Sequence, residues 1–231
     1  MRSDRTERLP LFPLGTTLVP GMDLPLHIFE ERYRRLMKDQ TGRDPIFGVV
    51  LIRSGREVAD QPQVHRIGTA AELIEATEHA DGRYSIQVRG GRRFRVLDED
   101  WSRGYLTATV EWLDEAEGDA GRCWALAIEA TEQWRSFVVA LARMIGNEDE
   151  VEAIAERVVA QLPEVPTERC YEIMGQLPVP AATRQRLLEL PTSEDRLQAL
   201  LELLVTERRL MTALGGRPTL SFATNRPLGS N

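Results

Sequence analysis

The residues best suited to chemistry in this sequence are four arginines that surround a phenylalanine, in the segment RGGRRFR at 89–95. Guanidinium groups pair with phosphates, and an exposed aromatic ring can stack on a base, so this segment could bind RNA. The candidate nucleic-acid-binding residues are Arg89, Arg92, Arg93 and Arg95.

Two features of the same segment oppose this interpretation. Strand alternation turns Phe94 inward and leaves Arg93 and Arg95 on the polar face, so the aromatic ring is not expected to be exposed. The acidic run at 98–100 follows immediately and cancels much of the local positive potential. RNA binding therefore stays an alternative function, and nucleic acid is not the expected partner.

Patterns that support catalysis or metal binding are absent from the sequence. It contains no GxxxxGK[ST] phosphate loop, no GxSxG elbow, no HExxH pair and no CxxC. Its three histidines, His27, His65 and His79, are far apart in the sequence. We interpret them as structural or surface imidazoles that form hydrogen bonds, not as catalytic bases. We expect a non-catalytic protein without a cofactor or metal, while an unrecognised small-molecule site or enzyme remains a further alternative.

Charge is distributed unevenly along the 231 residues, whose formal net charge is −7. Residues 1–113 carry 17 acidic and 17 basic side chains, residues 114–176 carry 14 and 5, and residues 177–231 carry 5 and 7, so the segments have net charges of 0, −9 and +2. No segment offers the basic surface on which nucleic-acid affinity depends.

Residues 1–8 lack the apolar core of a signal peptide, and no apolar run reaches a bilayer-spanning length, which predicts a cytoplasmic protein with no membrane partner.

Residues 9–113 have the pattern of a β-rich region with one helix near 28–39. Short apolar runs alternate with Gly and Pro, and Asp81-Gly82 is suited to a tight hairpin turn. In the helix, one face is predicted to carry Phe29, Tyr33, Leu36 and Met37. The predicted strands are 9–14, 17–19, 46–52, 67–76, 83–88, 93–97 and 105–112.

The segment 114–121 is acidic, contains two glycines and predicts a linker, whereas 122–214 predicts a helical subdomain. Apolar residues from Trp124 to Ile145 recur at close to helical spacing, and prolines divide the later helices. Thr192 is a predicted N-cap with Asp195 at the capping-box position. Residues 1–8 and 215–231 are predicted to be flexible ends.

Six short signatures, in order, resemble those of the Lon protease N-terminal, substrate-binding domain family. The likeness covers about residues 9–210. The signatures are LPLFPL at 9–14, VPG at 19–21, LHIFEERY at 26–33, FGVV at 47–50, IGTA at 67–70, and Gly91 with Arg93-Phe94. The resemblance implies an α+β protein, with a PUA-like β-barrel subdomain followed by a C-terminal helical subdomain. It further implies kinship with stand-alone bacterial members that lack the ATPase and peptidase domains.

A role in recognising polypeptides follows from this resemblance, with unfolded or degron-bearing segments, or a partner protein, as the expected partners. An adaptor role is one form of that function. Met22 and Leu24, which follow the Pro20-Gly21 turn, are the candidate peptide-binding residues. Most motif residues are instead expected to be structural: Pro13, Pro20, Gly21, Phe29, Glu30, Arg32, Tyr33, Gly48, Gly68, Gly91, Arg93 and Phe94.

Overall fold

The structure, a computed structural model, describes residues 5–39, 46–55, 61–144 and 150–213. The chain divides into two compact units, Met1–Glu115 and Ala116–Asn231, and this division falls inside the segment 114–121. The first unit holds the strands and the second is helical, so the predicted α+β class is confirmed. Residues 1–4 and the predicted tail 215–231 lie outside the described residues.

The described part of the first unit contains seven strands and one helix. The strands are β1 (Thr6–Leu14), β2 (Asp23–Ile28), β3 (Ile46–Ser54), β4 (Gln63–Val64), β5 (Ile67–Glu78), β6 (Tyr84–Asp100) and β7 (Thr107–Trp112), and the helix between β2 and β3 is α1 (Glu31–Asp39).

Five of the strands close into a barrel. The sheet runs β1-β7-β6-β5-β3, and a parallel pairing of β1 with β3, with Leu11 opposite Gly48, completes the circuit. β2 pairs with β6 and β4 pairs with β3, each outside this circuit. Parallel neighbours need a long crossover, which the segment between β1 and β3 supplies through β2 and α1.

Several sequence-based boundaries were wrong. The predicted flexible segment 1–8 overlaps β1, in which Thr6 pairs with Glu111 of β7. The segment 17–19 is not a strand, and the predicted strands 83–88 and 93–97 are parts of one continuous strand, β6. The pattern breaks at Gly90 and Gly91 because these residues lack side chains, yet the backbone ladder to β5 continues there through a register shift.

The predicted first helix begins later than expected. Its first backbone hydrogen bonds run to the Glu30 carbonyl, from the amides of Tyr33 and Arg34. Tyr33, Leu36 and Met37 are buried as predicted. Phe29 precedes the helix and is 60% exposed, so its assignment to the buried face was wrong.

The barrel core depends on close packing around Phe94. This residue is fully buried on β6 and lies opposite Gly68 of β5. A Cβ added at Gly48 would lie 2.5 Å from the Phe94 ring, and one added at Gly68 would lie 2.6 Å from both that ring and the Val49 carbonyl oxygen. Real Cβ atoms do not approach so closely, so both glycines are needed for the aromatic ring to fit between the strands.

The second unit contains five helices among the described residues. They are α2 (Ala120–Met144), α3 (Val151–Ala160), α4 (Pro166–Gln176), α5 (Ala181–Leu188) and α6 (Ser193–Ala213). α2 packs against α6, α3 and α4. Trp134 and Phe137 of α2 are buried and stacked, with ring centroids 5.5 Å apart.

The start of α6 confirms the predicted cap. The Asp195 amide donates to Thr192 Oγ1 at 3.0 Å, as a helix N-cap requires. The segment before α2 is tied to the same place, because the Ser193 amide donates to the Ala116 carbonyl at 2.8 Å. Residues 116–119 are exposed, but backbone hydrogen bonds from Ser193 and Glu194 to the carbonyls of Ala116 and Glu117 anchor them to the start of α6.

Two buried arginines stabilise the connections between these helices. Arg184 donates to the carbonyl oxygens of Met174 and Leu177 at 2.9 and 2.8 Å, which satisfies acceptors at the end of α4. Burial lowers the pKa of the Arg184 guanidinium. Arg196 is fully buried, donates to the Leu190 carbonyl at 2.8 Å and lies over the Tyr171 ring.

We predict that Gly68→Ala destabilises the barrel by about 1–3 kcal/mol, because the added methyl group must displace either the Phe94 ring or the Val49 backbone. Gly91→Ala is the matched control, because the three atoms nearest to its Cβ all belong to the movable Glu72 side chain. Urea-induced unfolding followed by far-UV circular dichroism measures both variants. Equal stability of the two would contradict the packing role of Gly68.

Candidate functional site

The apolar residues around β2 form the first candidate recognition surface. Leu24 is only 3% exposed and belongs to the core, so its assignment as a contact residue was wrong. Met22 and Leu26 are half-buried against the same core, and Phe29 is mostly exposed. The alternation along β2 explains the difference, since Leu24 and Ile28 face inward and their outward neighbours are polar or proline.

Met22 is positioned by a turn that holds the start of β2 on β6. Gly21 has a φ of +79°, and its amide donates to the Gly90 carbonyl at 2.7 Å. The Gly90 amide in turn donates to the Met22 carbonyl at 2.9 Å. Pro20 precedes this turn and is half-buried. The backbone at Met22 is therefore fixed, while its flexible side chain is partly accessible.

Phe29 is held at an ordered junction between β2 and α1. Ile28 pairs with Tyr84, which fixes the chain just before Phe29. On the other side, Glu30 and Arg32 form an ion pair at 2.8 Å with both side chains mostly shielded from solvent. An exposed phenylalanine on a fixed backbone loses little conformational freedom when it contacts a partner, which favours a role in binding.

The remaining motif residues of the first unit lie mainly in the barrel wall. Pro13 is buried in β1 opposite Val50, and Tyr33 packs its ring 3.9 Å from that of Phe12. The Arg32 guanidinium lies over the Tyr33 ring at 4.7 Å. Gly91 is half-buried next to the Glu72 side chain.

The four arginines of 89–95 are each paired with a carboxylate. Strand alternation predicted an exposed Arg93, but this residue is 2% exposed. The prediction was wrong because a residue beyond the neighbouring strand binds this side chain: the Leu113 amide extends the β6–β7 ladder by donating to the Arg93 carbonyl at 3.0 Å, and Glu115, two residues further on, accepts from the guanidinium at 2.7 Å. The other pairs are Arg89 with Asp23 at 2.7 Å, Arg92 with Asp114 at 3.8 Å and Arg95 with Glu111 at 3.0 Å.

This pairing removes the main reason to expect phosphate binding. The hydrogen bond from Arg89 holds the pKa of Asp23 below its ordinary value, so that carboxylate stays charged beside the arginine. Arg92 also lies over the Trp112 ring at 5.3 Å, so this ring does not present a bare face to a base. The segment is an electrically balanced outer wall of the barrel.

Two histidines that are distant in sequence meet at one serine, which the sequence analysis did not anticipate. His27 Nδ1 lies 3.2 Å and His79 Nε2 lies 2.8 Å from Ser85 Oγ. Neither ring is hydrogen-bonded to a carboxylate among the described residues, so the group that orients the base in a catalytic triad is lacking there. Nor do those residues contain a cluster of three or more His, Cys, Asp or Glu side chains suited to a metal ion.

A closed five-stranded barrel, followed by a separate helical unit, places the chain in a class of two-unit α+β proteins. Comparison with known proteins identifies that class more closely. Residues 8–206 match the family model of the ATP-dependent protease La (LON) substrate-binding domain. The chain therefore belongs to the Lon substrate-binding domain family, and the expected kinship is confirmed. No helix among the described residues is long and apolar enough to cross a membrane.

Individual relatives agree with this assignment. Lon protease 2 of Syntrophobacter fumaroxidans is 28% identical over 194 residues, which are 83% of this chain and 23% of that protein. Escherichia coli Lon protease is 23% identical over 206 residues, 86% of this chain and 25% of that protein. The chain thus spans about a quarter of the length of these relatives.

Solved structures show the same fold. The Lon N-terminal domain protein from Xanthomonas campestris aligns with a TM-score of 0.57 and 26% identity, covering 85% of this chain and 98% of that one. The N-terminal domain of the Mycobacterium avium complex Lon protease aligns with a TM-score of 0.56 and 18% identity, covering 86% and 98%.

We predict that Arg93→Gln lowers the free energy of unfolding by about 1.5–3 kcal/mol, because it removes a buried charged hydrogen-bond donor and leaves Glu115 without it. Arg95→Gln, which removes an exposed ion pair, should change stability by about 0–1 kcal/mol. Urea-induced unfolding measures the change in the free energy of unfolding of each variant. Equal small effects would mean that the Arg93 pair is energetically a surface pair.

Proposed function

We propose that this protein is a non-catalytic module that recognises polypeptide segments, with unfolded or degron-bearing chains as its clients. The observation that carries the proposal is the match of residues 8–206 to a substrate-binding domain, within a family whose named relatives are proteases. An adaptor that presents such clients to a protease is the form of this function that we favour.

The surface we assign to this role in the first unit contains Met22 and Phe29, at the two ends of β2. Phe29 is a large aromatic side chain that the barrel leaves mostly exposed, and Met22 is flexible enough to adapt to different partners. Leu24 supports the surface from the core instead of contacting the client. Partners of this kind gain affinity by burying apolar side chains, and neither a metal nor a cofactor takes part.

The expected affinity is modest. A segment that covers ~400 Å² of apolar surface gains ~10 kcal/mol at ~25 cal/mol/Å², whereas association and ordering cost ~4–15 kcal/mol. Dissociation constants should therefore be micromolar or weaker, without a requirement for one particular client sequence. Weak and broadly tolerant binding suits a protein that must recognise many non-native chains and release them.

We predict that the unfolded form of a model protein binds and its folded form does not, as measured by fluorescence anisotropy of the labelled model protein. Phe29→Ser should weaken this binding about threefold to tenfold without lowering stability, because the side chain is exposed. The matched control is Ile74→Ser, since Ile74 is also an exposed large apolar residue but lies on β5. Equal loss in both variants, or no binding near millimolar protein, would refute the assignment.

We also predict that the protein neither hydrolyses ATP nor degrades casein, because the sequence lacks a phosphate-binding loop and a catalytic nucleophile pattern. A coupled phosphate assay and a fluorescent casein assay measure these activities. Activity that disappears on Ser85→Ala would contradict the non-enzyme assignment and point to the His27–Ser85–His79 group. RNA binding with a steep salt dependence, flattened by replacing Arg89, Arg92 and Arg95 with Gln, would favour the alternative function instead.

A further inference from the structure

The N-terminal half of α2 carries an apolar pair that the helical unit does not bury. Trp124 is 49% exposed and Ile128 is 59% exposed, although both belong to the series of apolar residues that recurs at close to helical spacing. The buried side of this half of the helix is formed instead by Cys123, Leu126, Ala127 and Ala130. Trp124 and Ile128 are four residues apart and therefore lie one above the other on the opposite side.

Two acidic residues accompany this pair. Glu129 and Glu132 are exposed. Glu132 lies one turn beyond Ile128 on the same side of the helix, whereas Glu129 directly follows Ile128 and projects about 100° away from it, beside the pair. Neither carboxylate has an ion-pair or hydrogen-bond partner among the described residues. In contrast, two of the three arginines of the same helix are paired with other helices, Arg122 with Glu194 at 2.9 Å and Arg135 with Glu152 at 2.5 Å.

The longer segment that contains α2 is also negatively charged. Residues 114–176 carry 14 acidic and 5 basic side chains, a net charge of −9, whereas residues 1–113 are neutral overall. A surface with a strong negative potential attracts cationic partners and repels phosphates. The pair Trp124 and Ile128 adds apolar contact area to that potential, and tryptophan is the residue type most enriched at binding hot spots.

We propose that this acidic α2 face, made of Trp124, Ile128 and Glu132 and flanked by Glu129, binds polypeptide segments that combine apolar side chains with Lys or Arg. The inference rests on the proposed polypeptide-recognition function and specifies a client class for it. Apolar side chains of the client cover Trp124 and Ile128, and its cationic groups pair with Glu132 on the same face and with Glu129 beside it. Chains rich in Asp and Glu, and nucleic acids, are rejected by the same carboxylates.

The test compares three labelled peptides of equal length: leucine alternating with arginine, the same peptide with Gln in place of Arg, and the same with Glu. Anisotropy titrations of the full chain should show the arginine peptide binding best and the glutamate peptide worst. Raising the salt concentration should reduce the difference in affinity between the arginine peptide and the glutamate peptide, because salt screens the charges. Equal affinity for all three peptides would overturn the proposal.

Variants of the protein test whether the preference for the arginine peptide comes from the acidic α2 face. Glu129→Gln with Glu132→Gln should weaken binding of the arginine peptide about threefold to tenfold and leave the glutamine peptide unchanged. Glu156→Gln with Glu168→Gln is the matched control, because it removes two exposed carboxylates from α3 and α4 of the same unit. Equal weakening by both pairs would mean that the preference comes from total charge, and the proposed face would be wrong.

Ile128→Ser separates this proposal from the proposed function. It should weaken binding of the arginine peptide without changing the far-UV circular dichroism. If peptides bind and respond to Phe29→Ser but not to Ile128→Ser, the acidic α2 face is refuted while polypeptide recognition stands. If no peptide binds, both fail. Self-association that Ile128→Ser abolishes in analytical ultracentrifugation would assign the face to a second copy of this chain and overturn the proposal.

Discussion

The packing of Phe94 against Gly48 and Gly68 is the interaction on which the barrel depends. The ring fills the space left by two absent side chains, on β3 and β5, while Leu11 of β1 packs beside it. Because Gly48 lies opposite Leu11 in the parallel pairing of β1 and β3, the same contact fixes the place where the barrel closes. The position of β6 then determines where β2 can pair, and with it the positions of Met22 and Phe29.

Arginine serves two physical purposes in this chain, which contains a single lysine. Arg93, Arg184 and Arg196 are buried and bind carboxylate or carbonyl oxygens, a role suited to a planar group with several fixed donors. The exposed arginines of the barrel wall are paired with nearby carboxylates. The arginine-rich segment 89–95 therefore consists of ion pairs instead of an open basic surface, which weakens the case for phosphate binding there.

The two recognition surfaces that we propose lie where large apolar side chains are left outside the core. Phe29 in the barrel unit and Trp124 with Ile128 in the helical unit are held on ordered backbone and remain accessible to solvent. Their chemical settings differ: Phe29 follows a strand that carries Asp23 and His27 on its outer face, whereas the tryptophan lies in a strongly acidic segment. Surfaces of this size give weak contacts individually, as suits reversible binding of non-native chains.

The sequence by itself determined those features that depend on neighbouring residues. Three such features are the strand periodicity, the turn at Asp81-Gly82 and the cap formed by Thr192 and Asp195, each of which depends on residues only a few positions apart. In the turn, the Gly82 amide donates to the His79 carbonyl. The ordered series of Lon-like motifs also identified the family, because their order and spacing could be compared without knowing which residues touch.

Only the tertiary structure decided which side chains are covered. Arg93 is buried and bound by Glu115, which follows the neighbouring strand β7, and Phe29 is exposed because α1 starts after it. Ser85 lies between His27 and His79 because β2 and the β5–β6 hairpin converge there. Burial depends on segments that are distant along the chain, and periodicity reports only on which face of its own element a residue lies.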